Sequence, residues 1–488
     1  VANGVPYDEL SPDDVNERYP AFTVPDGWEA VFEADAGYVY AARAVHTLQE
    51  RARRRGATLH FAEPVLDWQA GLGRVAVTTA YVTVRSEHND PTNTIIKGRF
   101  DTGEPGAEGT VTNGPSAARG VYLADNTRLI GFTITNGATL TNGDIHGAGI
   151  MALTTSPVVS NCVIIGNAAH YANLGSGYGG GSRYGTLYNC VIEGNVAGFA
   201  GGASYSTLYD CSVISNVTRQ SGAGVAYCTL QDCVLIGNRA LANGGGAHGG
   251  TLIRCTLSGN RAVSGGGAYD SALTSCILSN NNASVGGGAR LGTLSNCWLV
   301  ANYSSYGGGA YEATLYNCLI MGNDVRGYQM HGGGAGNSRL FNCTVVGNRA
   351  GNISNTNTPA PGGGGVSGCG LVNSIVYYNQ DAQYGYHNYR ASTNQYSCTT
   401  PEDPGWTEAD HNTAEEPRFM ANGSGYGTND FTAGNYQLRG SSPCVNAGTN
   451  GSWTAGVDLA GNPRIRYGVV DMGAFECIVN RGVMIRVR

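Results

Sequence analysis

Charge is scarce in this chain. Asp, Glu, Lys and Arg together make up 13% of its 488 residues, and Lys97 is the one lysine. With a formal net charge of −7, the sequence has no basic footprint for nucleic acid. Long apolar runs are absent as well. None approaches the roughly 20 residues that cross a bilayer as a helix, so no transmembrane segment is expected. The chain opens Val1-Ala-Asn-Gly4, with no basic stretch leading into an apolar one, so no signal peptide is visible. Glycine is abundant instead, at 75 residues. It follows no Gly-X-Y period, which excludes collagen. A hydrophobic fraction of 41% argues against disorder, so the glycines belong to recurring turns of a folded repeat.

That repeat is explicit. Cysteines stand about 21 residues apart at Cys162, Cys190, Cys211, Cys233, Cys255, Cys276, Cys297, Cys318 and Cys343. Five positions after each comes an asparagine: Asn167, Asn195, Asn216, Asn238, Asn260, Asn281, Asn302, Asn323 and Asn348. Ser374 and Asn379 repeat the pair with serine in the cysteine place. One unit, Gly307 to Asn323, reads Gly-Gly-Gly-Ala-Tyr-Glu-Ala-Thr-Leu-Tyr-Asn-Cys-Leu-Ile-Met-Gly-Asn. Similar units start at Gly244, Gly265, Gly286 and Gly332, and insertions fall between the asparagine and the next glycine run, as at 349–361.

Two residues after each cysteine stands an aliphatic, such as Ile192, Leu257 or Val345, while the residue between them varies. Period-two alternation marks a strand with the cysteine and the aliphatic facing in. The leucine three before the cysteine, as at Leu273 or Leu315, breaks that parity and demands a bend between the two. No helical periodicity interrupts the pattern. Short strands, corners and a fixed period describe an all-β, right-handed parallel β-helix of about 21-residue coils. Ten coils would make a rod of about 48 Å at the normal strand spacing. The cysteines read as small apolar filler, and the asparagines as a ladder at a corner where Asn tolerates the left-handed conformation. Cys398, Cys444 and Cys477 lie outside the column, and Cys398 with Cys444 is the candidate bridge. No histidine or second cysteine recurs beside the column, so no metal site is expected.

Candidate chemistry lies on the outward positions. After the glycine-run alanine come His248, Tyr269, Arg290 and Tyr311, one per coil; one position later come Tyr205, Tyr227, Asp270 and Glu312. Aromatic rings among charged groups on a flat sheet face suit sugar stacking and hydrogen bonding. These eight are the candidate ligand-binding residues, and no catalytic residue is assigned. Asp210 and Asp232, in adjacent coils just before the cysteine, could hold Ca²⁺ or act as an acid–base pair. Asparagine at the same place in other coils favours a polar corner instead. Gly175-Ser-Gly-Tyr-Gly-Gly180 matches a dinucleotide-binding pattern but precedes a β-helix corner rather than a helix.

The units resemble bacterial right-handed β-helix repeat proteins with Gly-Gly-Gly-Ala and Cys-x-Ile-x-Gly-Asn coils, and more loosely the polymorphic outer-membrane proteins. The resemblance begins at Ala80-Tyr-Val-Thr-Val-Arg85 and Thr94-Ile-Ile-Lys-Gly98. It passes through Gly131-Phe-Thr-Ile-Thr-Asn136, with Phe132 in the cysteine place. It closes with Asp458-Leu-Ala-Gly-Asn-Pro-Arg464 and Val470-Asp-Met-Gly-Ala-Phe-Glu476. It implies a secreted or cell-surface protein, non-catalytic, that binds a polysaccharide or cell-surface glycan. The rival expectation is a polysaccharide lyase or glycoside hydrolase. Residues 1–72 hold 12 acidic and 6 basic side chains and differ from the rest. Val5-Pro-Tyr-Asp-Glu-Leu-Ser-Pro12 and Phe32-Glu-Ala-Asp-Ala-Gly-Tyr38 resemble an internal piece of sarcosine-oxidase-like FAD-dependent oxidoreductases. A helix is expected over 41–55 and a strand over 58–61. The resemblance implies a partial flavoenzyme fragment, expected to be inactive and without flavin. The layout expected is therefore this fragment at 1–72, a β-helix at 76–395, a closing region at 396–477 and a tail at 478–488.

Overall fold

The computed structural model describes residues 82–478, except 87, 101–116, 141–143, 171–176, 327–331, 352–362, 382–387, 452–455 and 467; before residue 82 it describes five short strands. Coil after coil, strands pair in parallel with their counterparts above and below. One sheet of 13 strands runs from Ile95–Lys97 to Cys398–Thr399. A second, of 24 strands, takes two short strands from most coils, and short three- and four-stranded sheets close the third side. The architecture is a right-handed parallel β-helix, as the period implied.

The coil from Gly265 to Val285 illustrates how sequence sets the bends. Strand Ala268–Tyr269 runs into Asp270 (φ 50°), strand Ala272–Thr274 into Ser275 (φ 55°), and strand Ile277–Ser279 into Asn280 (φ 54°). Ser275 is the bend required between Leu273 and Cys276, and it lets both side chains point inward. Asn161, Asn189, Asp210, Asp232, Asn296, Asn317 and Asn342 hold the same left-handed corner in their coils, which accounts for the Asn and Asp found there. Asp232 is moreover engaged through both oxygens by Arg254 at 2.7 Å, so the polar-corner reading of Asp210 and Asp232 stands.

The asparagine ladder forms, with one correction. The left-handed residue is not the ladder asparagine but the one before it, such as Gly259 (φ 64°), Asn280 or Ala301 (φ 53°). That turn points the asparagine side chain into the core, where Asn281 is fully buried. Its Nδ2 donates to Asn302 Oδ1 (3.0 Å) and to the Leu257 carbonyl (2.9 Å). Its Oδ1 in turn accepts from Nδ2 and the backbone N–H of Asn260, both at 3.0 Å. A buried amide is thereby satisfied at both ends, and the ladder continues to Asn388. The glycine run packs against this ladder. A Cβ on Gly267 would lie 2.6 Å from the Gly288 carbonyl oxygen and 3.0 Å from Asn281 Nδ2, so no side chain fits.

Cysteine and leucine columns fill the interior. Cys276 Sγ sits 3.4 Å from the Leu252 and Thr274 carbonyls, and its N–H points at Cys297 Sγ at 3.4 Å. Phe132 and Ser374 extend the column at its ends. All 14 cysteines are free thiols, so the Cys398–Cys444 bridge is not formed. Cys228 and Cys369 form part of a second inward column shared with Ser206, Ser338 and Ser392.

Strand Ala57–His60 pairs antiparallel with Thr83–Ser86 of the first coil, close to the expected strand at 58–61. Strands Asp67–Gly71 and Arg74–Thr78 pair antiparallel. The helix expected over 41–55 lies outside the described residues. Beyond the last coil the chain folds back along the 13-stranded sheet. Phe419, Tyr436, Leu438, Met472 and Phe475 cover Leu319, Met321, Val346 and Ile375. The closing signature builds a buried knot: Arg464 Nε lies 3.3 Å from Glu476 Oε1, and Asp458 accepts the Glu476 N–H at 2.7 Å.

Candidate functional site

Both candidate columns lie on one outer face. Simple alternation would turn the residue after His248 or Tyr269 inward. The left-handed corner that follows the strand keeps it outside instead, and Tyr205 (φ 53°) and Tyr227 (φ 54°) hold that corner with aromatic side chains. The same left-handed corner recurs at Tyr184, Asp270, Leu291 and Glu312.

Four of the eight candidates form one run of rings along the rod. Tyr205 stacks on Tyr227 (5.2 Å), Tyr227 meets His248 edge-on (5.4 Å), and His248 stacks on Tyr269 (5.3 Å). The Tyr227 hydroxyl lies 3.3 Å from His248 Nε2. Burial pushes the His248 imidazole below its ordinary pKa, against the pull of Asp270, so the ring is neutral at neutral pH. Burial, with Tyr178 and Asp270, raises the Tyr227 phenol, which keeps its proton. Arg290, Tyr311 and Glu312 form a separate group farther along. Arg290 donates to Glu312 Oε2 at 3.1 and 2.9 Å and to Ser264 Oγ at 3.0 Å, with its guanidinium 5.9 Å from the Tyr311 ring. Tyr311 receives Asn337 Nδ2 at 2.7 Å. Asp270 is exposed at the corner between the two groups.

The ring run also extends in the other direction, through residues that spacing did not single out. Tyr178 packs on Phe199 (4.8 Å) and on Tyr205 (5.9 Å), Phe199 stacks on Tyr227 (5.9 Å), and His146 meets Tyr178 edge-on (5.5 Å). Arg183 sits among Tyr178, Tyr184 and Tyr205, its guanidinium carbon 5.6, 5.2 and 5.8 Å from their ring centres. Arg183 follows Gly179-Gly-Gly-Ser182 just as His248 follows Gly244-Gly-Gly-Ala247. Serine in place of alanine is what hides it from the motif. Among the described residues no group of three His, Cys, Asp or Glu side chains is placed to hold a metal.

Comparison with known proteins matches the start of the chain to a family that extends past residue 72 into the first coil. The FAD dependent oxidoreductase family matches residues 1–91. Monomeric sarcosine oxidase from Arthrobacter sp. (strain TE1826) is 31% identical over 74 residues, 15% of this chain and 19% of the relative. N-methyl-L-tryptophan oxidase from Yersinia pestis (strain Pestoides F) is 35% identical over 80 residues, 16% of this chain and 22% of the relative. The chain thus spans about a fifth of the length of these curated relatives. Among solved structures, pectate lyase Pel9A aligns at a TM-score of 0.31 and 14% identity, over 73% of this chain and 89% of its own. The A-module of the Azotobacter vinelandii mannuronan C-5 epimerase AlgE6 aligns at 0.29 and 14%, over 58% and 86%.

These matches correct the expectation of a non-catalytic chain with an inactive first segment. Residues 1–91 match an oxidoreductase family, and the relatives matched there are oxidases. The FAD that this family implies is not accommodated by the Gly175–Gly180 run. A Cβ on Gly180 would lie 2.4 Å from the Val196 carbonyl oxygen and 2.5 Å from that of Gly201, and the run leads into strand Ser182–Arg183, so neighbouring backbone fills the space a pyrophosphate needs. The chain joins a segment similar to FAD-dependent oxidoreductases to a right-handed parallel β-helix.

Proposed function

We propose that the β-helix acts on a polymeric glycan laid along the ring-lined face, as a polysaccharide lyase or glycoside hydrolase. The observation that carries this reading is the Tyr227–His248 pair, 3.3 Å apart within a continuous run of rings. Coils repeat about every 4.8 Å, close to the length of one sugar unit, so sugar rings can stack on successive aromatic faces in register. Tyr205 and Tyr269 flank the pair as stacking platforms. Tyr227, protonated beside a neutral imidazole, is placed to give its proton to the departing glycosidic oxygen as the C–O bond breaks. His248 takes a proton from the adjacent sugar carbon, so that a C=C bond forms, or from the attacking water in the hydrolase, and then returns a proton to Tyr227. Asp270, Arg290, Tyr311 and Glu312 would line the neighbouring subsites. Asp270 and Glu312 stand two coils apart in one column, about 9.6 Å by coil spacing, near the upper limit for an inverting hydrolase. Glu312 is tied to Arg290, which favours the lyase. Polymeric glycans are met outside the cell, in keeping with an extracellular or cell-surface protein. We assign the layout as 1–72, 76–395, 396–477 and 478–488; most of the parallel strand pairs fall within 76–395, and the last, at Cys398–Thr399, lies just beyond it.

The test is incubation of the full chain with acidic and neutral polysaccharides, reading reducing ends and the ultraviolet absorbance of unsaturated ends. Tyr227→Phe and His248→Ala should each lower turnover about a hundredfold or more while the glycan still binds. If no polymer is cut, or if both variants cut at the wild-type rate, the assignment fails.

A further inference from the structure

We infer that the Arg183 site at one end of the ring run takes a negatively charged sugar, bearing a carboxylate or a sulfate ester. The inference rests on the reading of this face as the glycan-binding one, and it names the class of polymer.

Three other arginines near this stripe are already spent. Arg119 pairs with Asp144 at 2.9 Å and donates to the His146 and Gly147 carbonyls, both at 2.7 Å. Arg254 is held by Asp232, and Arg290 by Glu312. Arg183 forms no ion pair with any described residue. Its Nε is shielded from solvent and meets no acceptor. Three tyrosine ring faces hold the guanidinium and compensate part of its charge, but they offer no lone pair in its plane. A cation so placed binds an oxyanion more strongly than one in open water does, because the surrounding rings lower the local dielectric.

The groups around it can donate, and among the described residues no free carboxylate stands beside them. Burial, with Tyr178 and Tyr227, raises the Tyr205 phenol, so it stays protonated even with Arg183 beside it. Burial and then Arg183 push the His146 imidazole down to about 4, so it is neutral. Its Nδ1 accepts the Tyr178 N–H at 3.0 Å, which leaves the ring proton on Nε2. The nearby carboxylate of Asp144 is bound to Arg119. A neutral sugar hydroxyl calls for both a donor and an acceptor, whereas an oxyanion is satisfied by donors alone. Two further buried polar atoms of the same patch, Ser204 Oγ in the adjoining coil and His248 Nδ1, also lack partners.

The experiment measures retention of the full chain in affinity gels containing polygalacturonate, its fully methyl-esterified form, a sulfated galactan or a neutral galactan. An acidic polymer should be retained at least about tenfold more strongly than its uncharged counterpart. Arg183→Ala should remove that preference while leaving retention by the neutral polymer unchanged. Arg183→Lys should restore it in part, since lysine keeps the charge but not the planar fork that stacks on the rings. A far-ultraviolet spectrum and melting temperature matching wild type show that the variants fold. Preference for polygalacturonate identifies a carboxylate as the ligand group, and preference for the sulfated galactan identifies a sulfate. Equal retention of charged and uncharged polymers, or an acidic preference that survives Arg183→Ala, overturns the inference and leaves the glycan-face reading standing. If the wild-type chain is retained by none of the four, the glycan-face reading falls and this inference with it.

Discussion

Glu476 shows what a single side chain does in this molecule. It is 4% exposed, and burial pushes its carboxyl up to about 8, with Asp471 adding to the effect and Arg464 opposing it. In an unfolded chain the same group titrates near about 4.3. Between those values the folded chain holds a proton that the unfolded chain releases. The stabilisation from protonated Glu476 is therefore complete below about pH 4.3 and is lost as pH rises towards about 8, at up to about 1.4 kcal/mol per unit. Asp471, also raised by burial, acts in the same sense. The melting temperature should fall from about pH 5 to about pH 8, and Glu476→Gln should flatten that slope. A wild-type melting temperature that stays level or rises across this range would refute the assignment.

At the level of the coil, the repeat was legible wherever burial forces the same residue type at every turn. Leu273, Cys276, Leu278 and Asn281 face the interior, and their equivalents recur because each coil presents the same narrow space. The outer face was harder to read. The left-handed corner at Tyr205 and Tyr227 breaks the alternation on which inward and outward assignments rest, and Arg183 hides behind a serine variant of the glycine motif. The closing region was hidden for a different reason. Phe431 lies where a Cβ on Gly322 would be, 2.5 Å from its ring, a contact between residues more than 100 positions apart that no local pattern carries. The inward column makes its own prediction. Ser374 already performs the cysteine role, accepting the Cys343 N–H at 3.2 Å and donating to the Leu340 carbonyl at 3.3 Å. Cys276→Ser should therefore cost about 1–2 kcal/mol at most. Cys276→Asp buries a charge with no cation near it and should cost several kcal/mol or abolish folding. Equal melting temperatures for the two variants would show that the column does not face inward.

The rod as a whole has two ends, and a parallel β-helix left open exposes a row of unpaired strand groups at each. At the first end, the backbone of Ala57–His60 runs antiparallel along Thr83–Ser86, with Ala57 opposite Ser86 and His60 opposite Thr83. The segment similar to oxidoreductases thus contributes a strand that covers the first coil. The coils beyond do not depend on it, because each pairs with its own neighbours and stability in such arrays is close to a sum of local terms. Removing residues 1–72 should accordingly leave the β-sheet spectrum and the main melting transition in place. It should also uncover the Thr83–Ser86 edge, so that the shortened chain associates end to end in a concentration-dependent way, visible by light scattering, at concentrations where the full chain does not. A shortened chain that no longer folds would mean that this strand is integral to the rod. A shortened chain that stays monomeric at every concentration would mean that the strand guards nothing, and that the first coil protects its own edge.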